Sequence, residues 1–203
     1  MEVSYLERHP HVRDAIHFAI FVALVIVGTA LINTFIFRSF NVSGYSMENT
    51  LHDGDRLIVD RIPVTIAQLE NKQYVPQRGQ IIVFKNPHFV QGMQDAYLVK
   101  RVIGLPGERV VVKDGVVTVY NSKYPNGHVY DTEFQKNGTG PQSPSSGDED
   151  MNVAPDTVFV AGDNRIGGNS YDSRDGLGTI PLYDIVGPVK LRIYPFNAFT
   201  IFN

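Results

Sequence analysis

The chain has 203 residues, of which 43% are hydrophobic, and it carries a formal net charge of -3. This length holds one membrane segment and one globular domain with its own core, and the slight acidic balance gives no reason to expect nucleic acid as a partner. Cysteine is absent, which excludes thiol nucleophiles, disulfides and cysteine-based zinc sites.

An apolar run without a formal charge occupies residues 16–37. As a helix it would span roughly 33 Å, enough for the hydrocarbon core of a bilayer. A cleavable signal peptide would have a shorter apolar stretch and a small-residue cleavage site, so we interpret the run as an uncleaved anchor after a short cytosolic segment, residues 1–15. Arg8 and Arg13 precede the run and only Arg38 follows it directly, which favours an extracytoplasmic globular domain.

Beyond the anchor, residues 38–203 read as a β-rich domain, with short runs of Val, Ile, Phe and Tyr separated by turn residues. Asp114 and Gly115 between two β-branched runs predict a two-residue hairpin turn. No long amphipathic helix intervenes, so the pattern predicts a mainly β fold, an antiparallel barrel or sandwich. The predicted strands are residues 56–59, 80–84, 97–103, 108–112, 116–120, 157–161 and 189–193.

One polar stretch, residues 121–152, does not fit the strand pattern. Its second half is nearly devoid of apolar side chains, and such segments rarely form packed elements. We expect a long surface loop, partly disordered, inserted into the β domain.

Two sequence contexts carry candidate chemistry. Ser46 lies in residues 44–51, and Lys100 lies in the middle of the predicted strand at residues 97–103. Serine is a poor nucleophile until a neighbouring base removes its proton, and a lysine can serve as that base. The two contexts make sense together if the hydroxyl is the nucleophile and the amine its base.

The strand around Lys100 explains how the amine could act as a base. A free lysine titrates near 10.4, so the pKa must fall by roughly 3 units for the amine to be neutral at neutral pH. Leu98 and Val102 share the face of Lys100 in an alternating strand, whereas Arg101 points the other way. This apolar lining would desolvate the ammonium and lower its pKa.

A third context is the Gly/Asn/Asp-rich segment at residues 162–176. Such composition is usual in tight turns, and the alternating ligands of a calcium loop are missing. We expect a rigid turn that supplies a hydroxyl to orient the lysine amine, with Asp172 and Arg174 forming an ion pair that holds its shape. The histidines lack ligand spacing, so we predict neither a metal site nor a cofactor.

Together and in this order, the three contexts resemble the bacterial type I signal peptidases. The resemblance covers the anchor, residues 42–112 and residues 157–190, and leaves out the stretch between them. The motifs that carry it are Ser46-Met47, Thr50-Leu51 and Gly54-Asp55; Lys100-Arg101-Val102-Ile103-Gly104 and Pro106-Gly107; and Gly162-Asp163-Asn164-Arg165, Ser170, Asp172-Ser173-Arg174 and Gly178.

The resemblance implies a membrane-anchored serine endopeptidase that removes signal peptides from exported preproteins after an Ala-x-Ala-like site. It implies Ser46 as the nucleophile, with its backbone N–H in the oxyanion hole, and Lys100 as the general base. Ser170 matches the serine that orients the lysine. Secretory preproteins and the lipid bilayer are the implied partners. The structural ion pairs it implies are Asp172 with Arg174 and Asp163 with Arg101.

Three departures from the family pattern stand out. Asn49 replaces a usual proline after the nucleophile. Gly44 stands where some members carry a serine whose hydroxyl completes the oxyanion hole and others carry glycine, so the second donor stays unassigned. Residues 166–169 lengthen the turn before Ser170, although Ser170 keeps its spacing to Asp172.

Other interpretations stay open. A pilin-processing peptidase of conjugation systems uses the same dyad, and sequence separates it poorly from the general enzyme. A self-cleaving repressor-type peptidase would need a DNA-binding domain, whereas this chain begins with a membrane helix. From a different class, the chain could be a catalytically silent, membrane-tethered β domain that binds peptides.

Overall fold

A computed structural model, which describes residues 9–93, 95–135 and 139–202, begins with one long apolar helix. This helix, α1 (Pro10–Phe35), is about 39 Å long at 1.5 Å per residue, and none of its side chains is buried against the rest of the protein. Its length and composition would let it cross a bilayer. The helix begins at Pro10, six residues before the apolar run at residues 16–37. It ends at Phe35, because Phe37 already belongs to the first strand.

Three polar side chains in the C-terminal half of α1 are hydrogen-bonded within the helix. The Thr29 and Thr34 hydroxyls donate to carbonyl oxygens one turn back at 2.8 Å, and the Asn33 amide does the same at 3.1 Å. Such internal bonds remove the need for water around these groups. The C-terminal half of the helix therefore remains compatible with an apolar environment despite these three polar residues.

The rest of the chain is mainly antiparallel β structure, which confirms the predicted fold class. A long strand, β10, pairs with β2, β3 and β11 and so connects the parts of the larger sheet. The elements are β1 (Phe37–Asn41), β2 (Arg56–Asp60), α2 (Ile62–Leu69), β3 (Ile81–Lys85), β4 (Tyr97–Gly104), β5 (Arg109–Lys113), β6 (Val116–Tyr120), α3 (Asp131–Phe134), β7 (Glu149–Asn152), β8 (Thr157–Ala161), β9 (Ile180–Pro181), β10 (Ile185–Tyr194) and β11 (Thr200–Ile201).

The strands form two sheets. The larger runs in the order β1-β2-β10-β3-β4-β8-β9, with β11 on β10, and the smaller runs β6-β5-β7. Among the described strands, β1 and β9 are the two ends of the larger order, so the sheet is not a closed barrel. Strand β4 lies between β3 and β8, which places Lys100 on an interior strand.

Local sequence determined the hairpin between β5 and β6. Lys113 pairs with Val116 across a turn formed by Asp114 and Gly115, whose φ angles are 50° and 79°. Positive φ at both central residues is the geometry that follows the natural twist of a hairpin. The predicted two-residue turn is therefore confirmed.

The described part of residues 121–152 differs from the expected surface loop. It contains helix α3 and strand β7, and β7 pairs antiparallel with β5. Ser145 is only 5% exposed, and Asp131 bonds a buried arginine. Strand β5 would otherwise present unpaired backbone groups on the side away from β6, so the polar stretch supplies a third strand. Residues 136–138 lie outside the described residues.

Candidate active site

The segment between β1 and β2 carries Ser46 on a tight turn, and buried neighbouring residues fix this turn to the core. Met47 and Leu51 are 1% and 0% exposed and pack into the core beside β2 and β10. At the base of the segment, the backbone N–H of Val42 donates to the Asp55 carbonyl at 2.8 Å. Buried anchors on both sides of the turn fix the backbone of Ser46, whose side chain stays half-buried.

Lys100, on strand β4, contacts Ser46 directly. Its side chain is 2% exposed, and its Nζ donates to Ser46 Oγ at 2.7 Å and to the Val99 carbonyl at 3.1 Å. Both distances are within ordinary hydrogen-bond reach. The fold thus brings together the two side chains that sequence analysis paired, although 54 positions separate them.

Burial controls the protonation of this amine. Desolvation lowers the pKa of Lys100 to about 8 from its ordinary value of 10.5, while Asp172 raises it and Arg174 lowers it further. The apolar side chain of Val102, on the same face, is fully buried. An amine with a pKa near 8 is neutral in part of the molecules at neutral pH, which is what a base requires.

A small open cavity adjoins the pair. Its volume is about 240 Å³, and it is lined by the end of β1, by the start of β4, and by Ser46 and Lys100. Most of the lining is apolar, and Ser43 and Asp95 are among its polar residues. The apolar lining residues are Phe40, Val42, Leu57, Val83, Ala96, Leu98 and Val99.

The loop after β8 packs against the segment that carries Ser46. Gly162 lies so close that a Cβ on it would be 2.2 Å from both the Ser46 carbonyl oxygen and Ser170 Oγ. The backbone N–H and the side-chain amide of Asn164 donate to the carbonyls of Ser46 and Tyr45, each at 3.1 Å. Only glycine fits at this approach. Gly162 and Asn164 lie in a motif of the sequence, but their own contacts could not be predicted from it.

Ser170 is placed differently from the expectation that it orients the lysine. It is 2% exposed, and its hydroxyl donates to Asp172 Oδ2 at 2.6 Å. The hydrogen bonds of Lys100 go instead to Ser46 and Val99 within the described residues. A carboxylate is the stronger acceptor because its bonds are charge-assisted, so the Ser170 hydroxyl donates its hydrogen bond to Asp172.

Two buried ion pairs hold the site segments together. Arg174 binds Asp172 through Nε and Nη2 at 3.0 and 2.7 Å, and Arg101 binds Asp163 through the same atoms at 2.8 and 2.6 Å. Asp163 also accepts a hydrogen bond from the hydroxyl of Thr50, in the segment that carries Ser46. The second pair therefore links β4, the loop after β8 and that segment. Both pairs have the partners that the sequence suggested.

The environment of Asp172 keeps it ionised. Burial alone would raise the pKa of this carboxyl, but hydrogen bonds from Arg174, Ser170 and the Gly162 N–H outweigh burial and lower it. An ionised Asp172 raises the pKa of Lys100. The ion pair therefore affects the proton of the amine as well as the shape of the loop.

Comparison with known proteins places the chain in a family. A family model described as signal peptidase, peptidase S26, matches residues 13–194. The chain belongs to the S26 signal peptidase family. It is 36% identical over 181 residues to signal peptidase I T of Bacillus subtilis, covering 87% of this chain and 83% of that one. It is 34% identical over 181 residues to a signal peptidase I of Bacillus amyloliquefaciens, covering 88% and 86%.

A solved structure is also similar to part of the chain. The crystal structure of a signal peptidase I from Enterococcus faecalis covers 56% of this chain and 95% of its own, with 28% identity and a TM-score of 0.37. Family membership makes this chain a serine endopeptidase and confirms the resemblance stated from the motifs.

This S26 signal peptidase contains a third buried ion pair that sequence analysis missed. Arg165 is fully buried; its Nη1 and Nη2 bind Asp131 at 2.9 and 3.0 Å, and its Nε donates to the Gly162 carbonyl at 2.6 Å. Asp131 belongs to α3, in the stretch that was expected to be a surface loop. No local pattern points to this pair, because 34 positions separate the partners.

The backbone N–H groups of Gly44 and Ser46 differ in whether they are already hydrogen-bonded. Gly44 has φ +89°, and its N–H is already bound to the Asp53 carboxylate at 2.8 Å. The N–H of Ser46 has no acceptor among the described residues. Gly44 contributes neither a hydroxyl nor an unoccupied N–H in this arrangement. Among the same residues, no group of three or more acidic or histidine side chains is placed to hold a metal ion.

Proposed function

We propose that this protein is a membrane-anchored signal peptidase that cleaves exported preproteins after an Ala-x-Ala-like site, with Ser46 as nucleophile and Lys100 as general base. The observation that carries the proposal is the 2.7 Å contact between Lys100 Nζ and Ser46 Oγ, made by an amine that is almost completely buried. An ordinary surface lysine would keep its charge and could not accept a proton at neutral pH.

The proposed reaction follows from this contact. The neutral amine of Lys100 accepts the hydroxyl proton of Ser46 as the oxygen attacks the scissile carbonyl. The Ser46 N–H donates to the developing oxyanion. The resulting ammonium then protonates the departing amine, which leaves an acyl-enzyme on Ser46. A water molecule, deprotonated by the same lysine, then attacks the acyl carbon. The bond to Ser46 Oγ breaks, the lysine ammonium returns its proton to that oxygen, and the product acid leaves.

The cavity supports cleavage next to small residues. An extended peptide presents alternate side chains on one face, and it could pair with exposed backbone as an added strand. The end of β1 and the start of β4 would border such a peptide on its two sides. The side chains on both sides of the proposed cleavage site would share one cavity of about 240 Å³. A cavity of this size suits alanine-sized side chains better than large ones.

The anchor supports a substrate that emerges from the membrane. Helix α1 ends at Phe35, and β1 leads from there to the cavity lining at Phe40 and Ser43. At roughly 3.3 Å per extended residue, the cavity lies within about 25 Å of the helix end. Signal peptides keep their apolar helix in the bilayer, so their cleavage site would lie at a similar height. We place the catalytic domain on the extracytoplasmic side, in line with the arginine bias.

The test is cleavage of a labelled precursor by the full chain in detergent. We expect cleavage after Ala-x-Ala, and a loss of at least about 10³-fold in both Ser46→Ala and Lys100→Met. Ser122→Ala and Lys113→Met, which alter exposed residues of the same types, should keep wild-type rates. Cleavage at the wild-type rate by either dyad variant would contradict the proposal.

A further inference from the structure

One acidic side chain belongs to the lining of the cavity beside the dyad. Among the lining residues, Asp95 is the only carboxylate and Lys100 the only amine. The Asp95 carboxylate is exposed and has no hydrogen bond or ion pair to any described residue. It therefore remains available to a group that enters the cavity.

The backbone around Asp95 is fixed in place. The side-chain amide of Asn86 donates to the Asp95 carbonyl at 3.0 Å, and the Asn86 backbone N–H donates to the Ala96 carbonyl at 3.0 Å. Asn86 itself is 6% exposed. These bonds hold the start of the segment that runs into β4. The acidic side chain is thus attached to a defined point on the cavity rim.

Asp95 differs from the other acids that act on the lysine. The charges that affect Lys100 are Asp172, Arg174, Asp95 and Asp163. Asp172 is bound to Arg174, and Asp163 is bound to Arg101. Asp95 has no cationic partner among the described residues. Its effect on the pKa of Lys100 can therefore change when a charged substrate binds beside it.

We propose that Asp95 selects substrates by charge, favouring precursors that carry a basic residue close to the scissile bond. The proposal rests on the proposed function and names a substrate class for the same site. A basic side chain would form an ion pair with Asp95 at the rim and improve binding. An acidic side chain at the same position would be repelled.

The same ion pair would act on the base. Asp95 raises the pKa of Lys100, so a substrate cation that neutralises Asp95 would lower that pKa. Below pH 8 the neutral fraction of the amine would increase, and with it kcat. Well above pH 8 the amine is already neutral in most molecules, so only the effect on KM would remain. The preference for a basic residue should therefore affect both kcat and KM below pH 8, and only KM well above pH 8.

The experiment uses the full chain in neutral detergent and a set of peptides around one Ala-x-Ala site. Each peptide carries a single arginine, citrulline or glutamate at one position on either side of the site; citrulline matches arginine in shape without its charge. For at least one position we expect KM to be about two- to fivefold lower with arginine than with citrulline, as for a solvated ion pair. The preference should shrink in 1 M salt, where screening is strong.

The variants assign the preference to one carboxylate. In Asp95→Asn the arginine-to-citrulline ratio of kcat/KM should fall to about 1, and the ratio of kcat at pH 7 should fall with it. Asp114→Asn is the matched control, because it removes an equal charge from the exposed hairpin turn; it should keep the wild-type ratio. Both ratios are internal to one enzyme preparation, so a partial loss of folded protein does not disturb them.

Two results would overturn the inference in distinguishable ways. Equal kcat/KM for arginine and citrulline peptides in the wild-type chain, or an undiminished ratio in Asp95→Asn, would refute charge selection and leave the proposed function standing. No cleavage of any peptide, together with no cleavage of a full precursor, would refute the proposed function and this inference with it.

Discussion

Lys100 is the residue on which the proposed chemistry depends most. Burial lowers its pKa to about 8, and the reaction needs its neutral form. We therefore expect kcat/KM for an uncharged peptide to rise with pH through about 8 and to level off above it. Rates measured from pH 5 to 10.5 will check this; a flat profile would contradict the role of the amine.

The same pKa predicts how stability depends on pH. Between pH 8 and about 10.4 the unfolded chain binds the lysine proton and the folded chain does not, so wild-type stability should rise with pH across that window. The cost of the buried ammonium is fully present below pH 8 and amounts to about 3 kcal/mol. Lys100→Met removes it. We expect this variant to be more stable than the wild type at pH 7.

Thermal unfolding in detergent at pH 7 and pH 10.5 measures this difference. The advantage of Lys100→Met should shrink by about 3 kcal/mol between the two pH values, whereas Lys113→Met, at an exposed strand end, should show no such change. An advantage that stays constant with pH would mean that Lys100 titrates in the folded state as it does in the unfolded chain.

The sequence predicted which residues form the candidate site more accurately than it predicted the hydrogen bonds and ion pairs that these residues make. The type and context of Ser46 and Lys100 are local properties, and the need of a serine for a nearby base suggested their pairing. The bond from Ser170 to Asp172 could not be read from spacing, because it depends on which acceptor lies nearest in the folded loop. Asp131 was missed for a similar reason: its partner, Arg165, is buried only after α3 packs against the loop.

At the scale of elements, the short helix α3 supports the loop that packs against the Ser46 segment. Arg165 connects Asp131 of α3 with the Gly162 carbonyl. Asp131→Ala would leave a buried guanidinium without its counter-ion, which typically costs about 3–5 kcal/mol. We expect a corresponding loss of stability and a lower kcat, because Gly162 packs against the Ser46 backbone.

Matched variants separate this effect from simple damage to α3. Glu133→Gln, on the same helix with an exposed side chain, should change stability by less than about 1 kcal/mol. Asp131→Leu combined with Arg165→Met removes both charges and should recover much of the lost stability. Thermal unfolding and peptide cleavage report the two effects. Equal stability of Asp131→Ala and Glu133→Gln would show that α3 does not support the loop.

Elements with a strong local pattern were predictable, and elements made by pairing were not. Two predicted strands, 116–120 and 157–161, match β6 and β8 residue for residue. Strand β7 has the polar sequence Glu149–Asn152 and is extended only because β5 offers it a partner. The start of β10 was missed because Gly187 and Pro188 interrupt the apolar run. Gly187 permits close approach there: a Cβ on it would be 2.2 Å from the Asp60 carbonyl oxygen.

At the scale of the whole molecule, the end of the anchor is bonded to the β domain. The Arg61 side chain donates to the Thr34 carbonyl at 2.6 Å, the Arg61 N–H donates to the Ile36 carbonyl at 2.8 Å, and the Thr65 hydroxyl donates to the Phe35 carbonyl at 2.9 Å. The last carbonyls of a helix lack partners within it and carry partial negative charge. Arg61 and Thr65, at the start of α2, supply hydrogen-bond donors to these carbonyls, and the positive charge of Arg61 offsets their partial negative charge.

These bonds should set the position of the active site relative to the membrane. Thr65→Val keeps the shape of the side chain and removes one bond, worth about 1 kcal/mol. We expect up to about fivefold slower cleavage of a precursor inserted in vesicles, with unchanged cleavage of a short soluble peptide, because the dyad is untouched. Thr132→Val, at an exposed position, is the control. An equal loss with both substrates would indicate general damage, and no loss with the inserted precursor would show that the bilayer positions the domain without this contact.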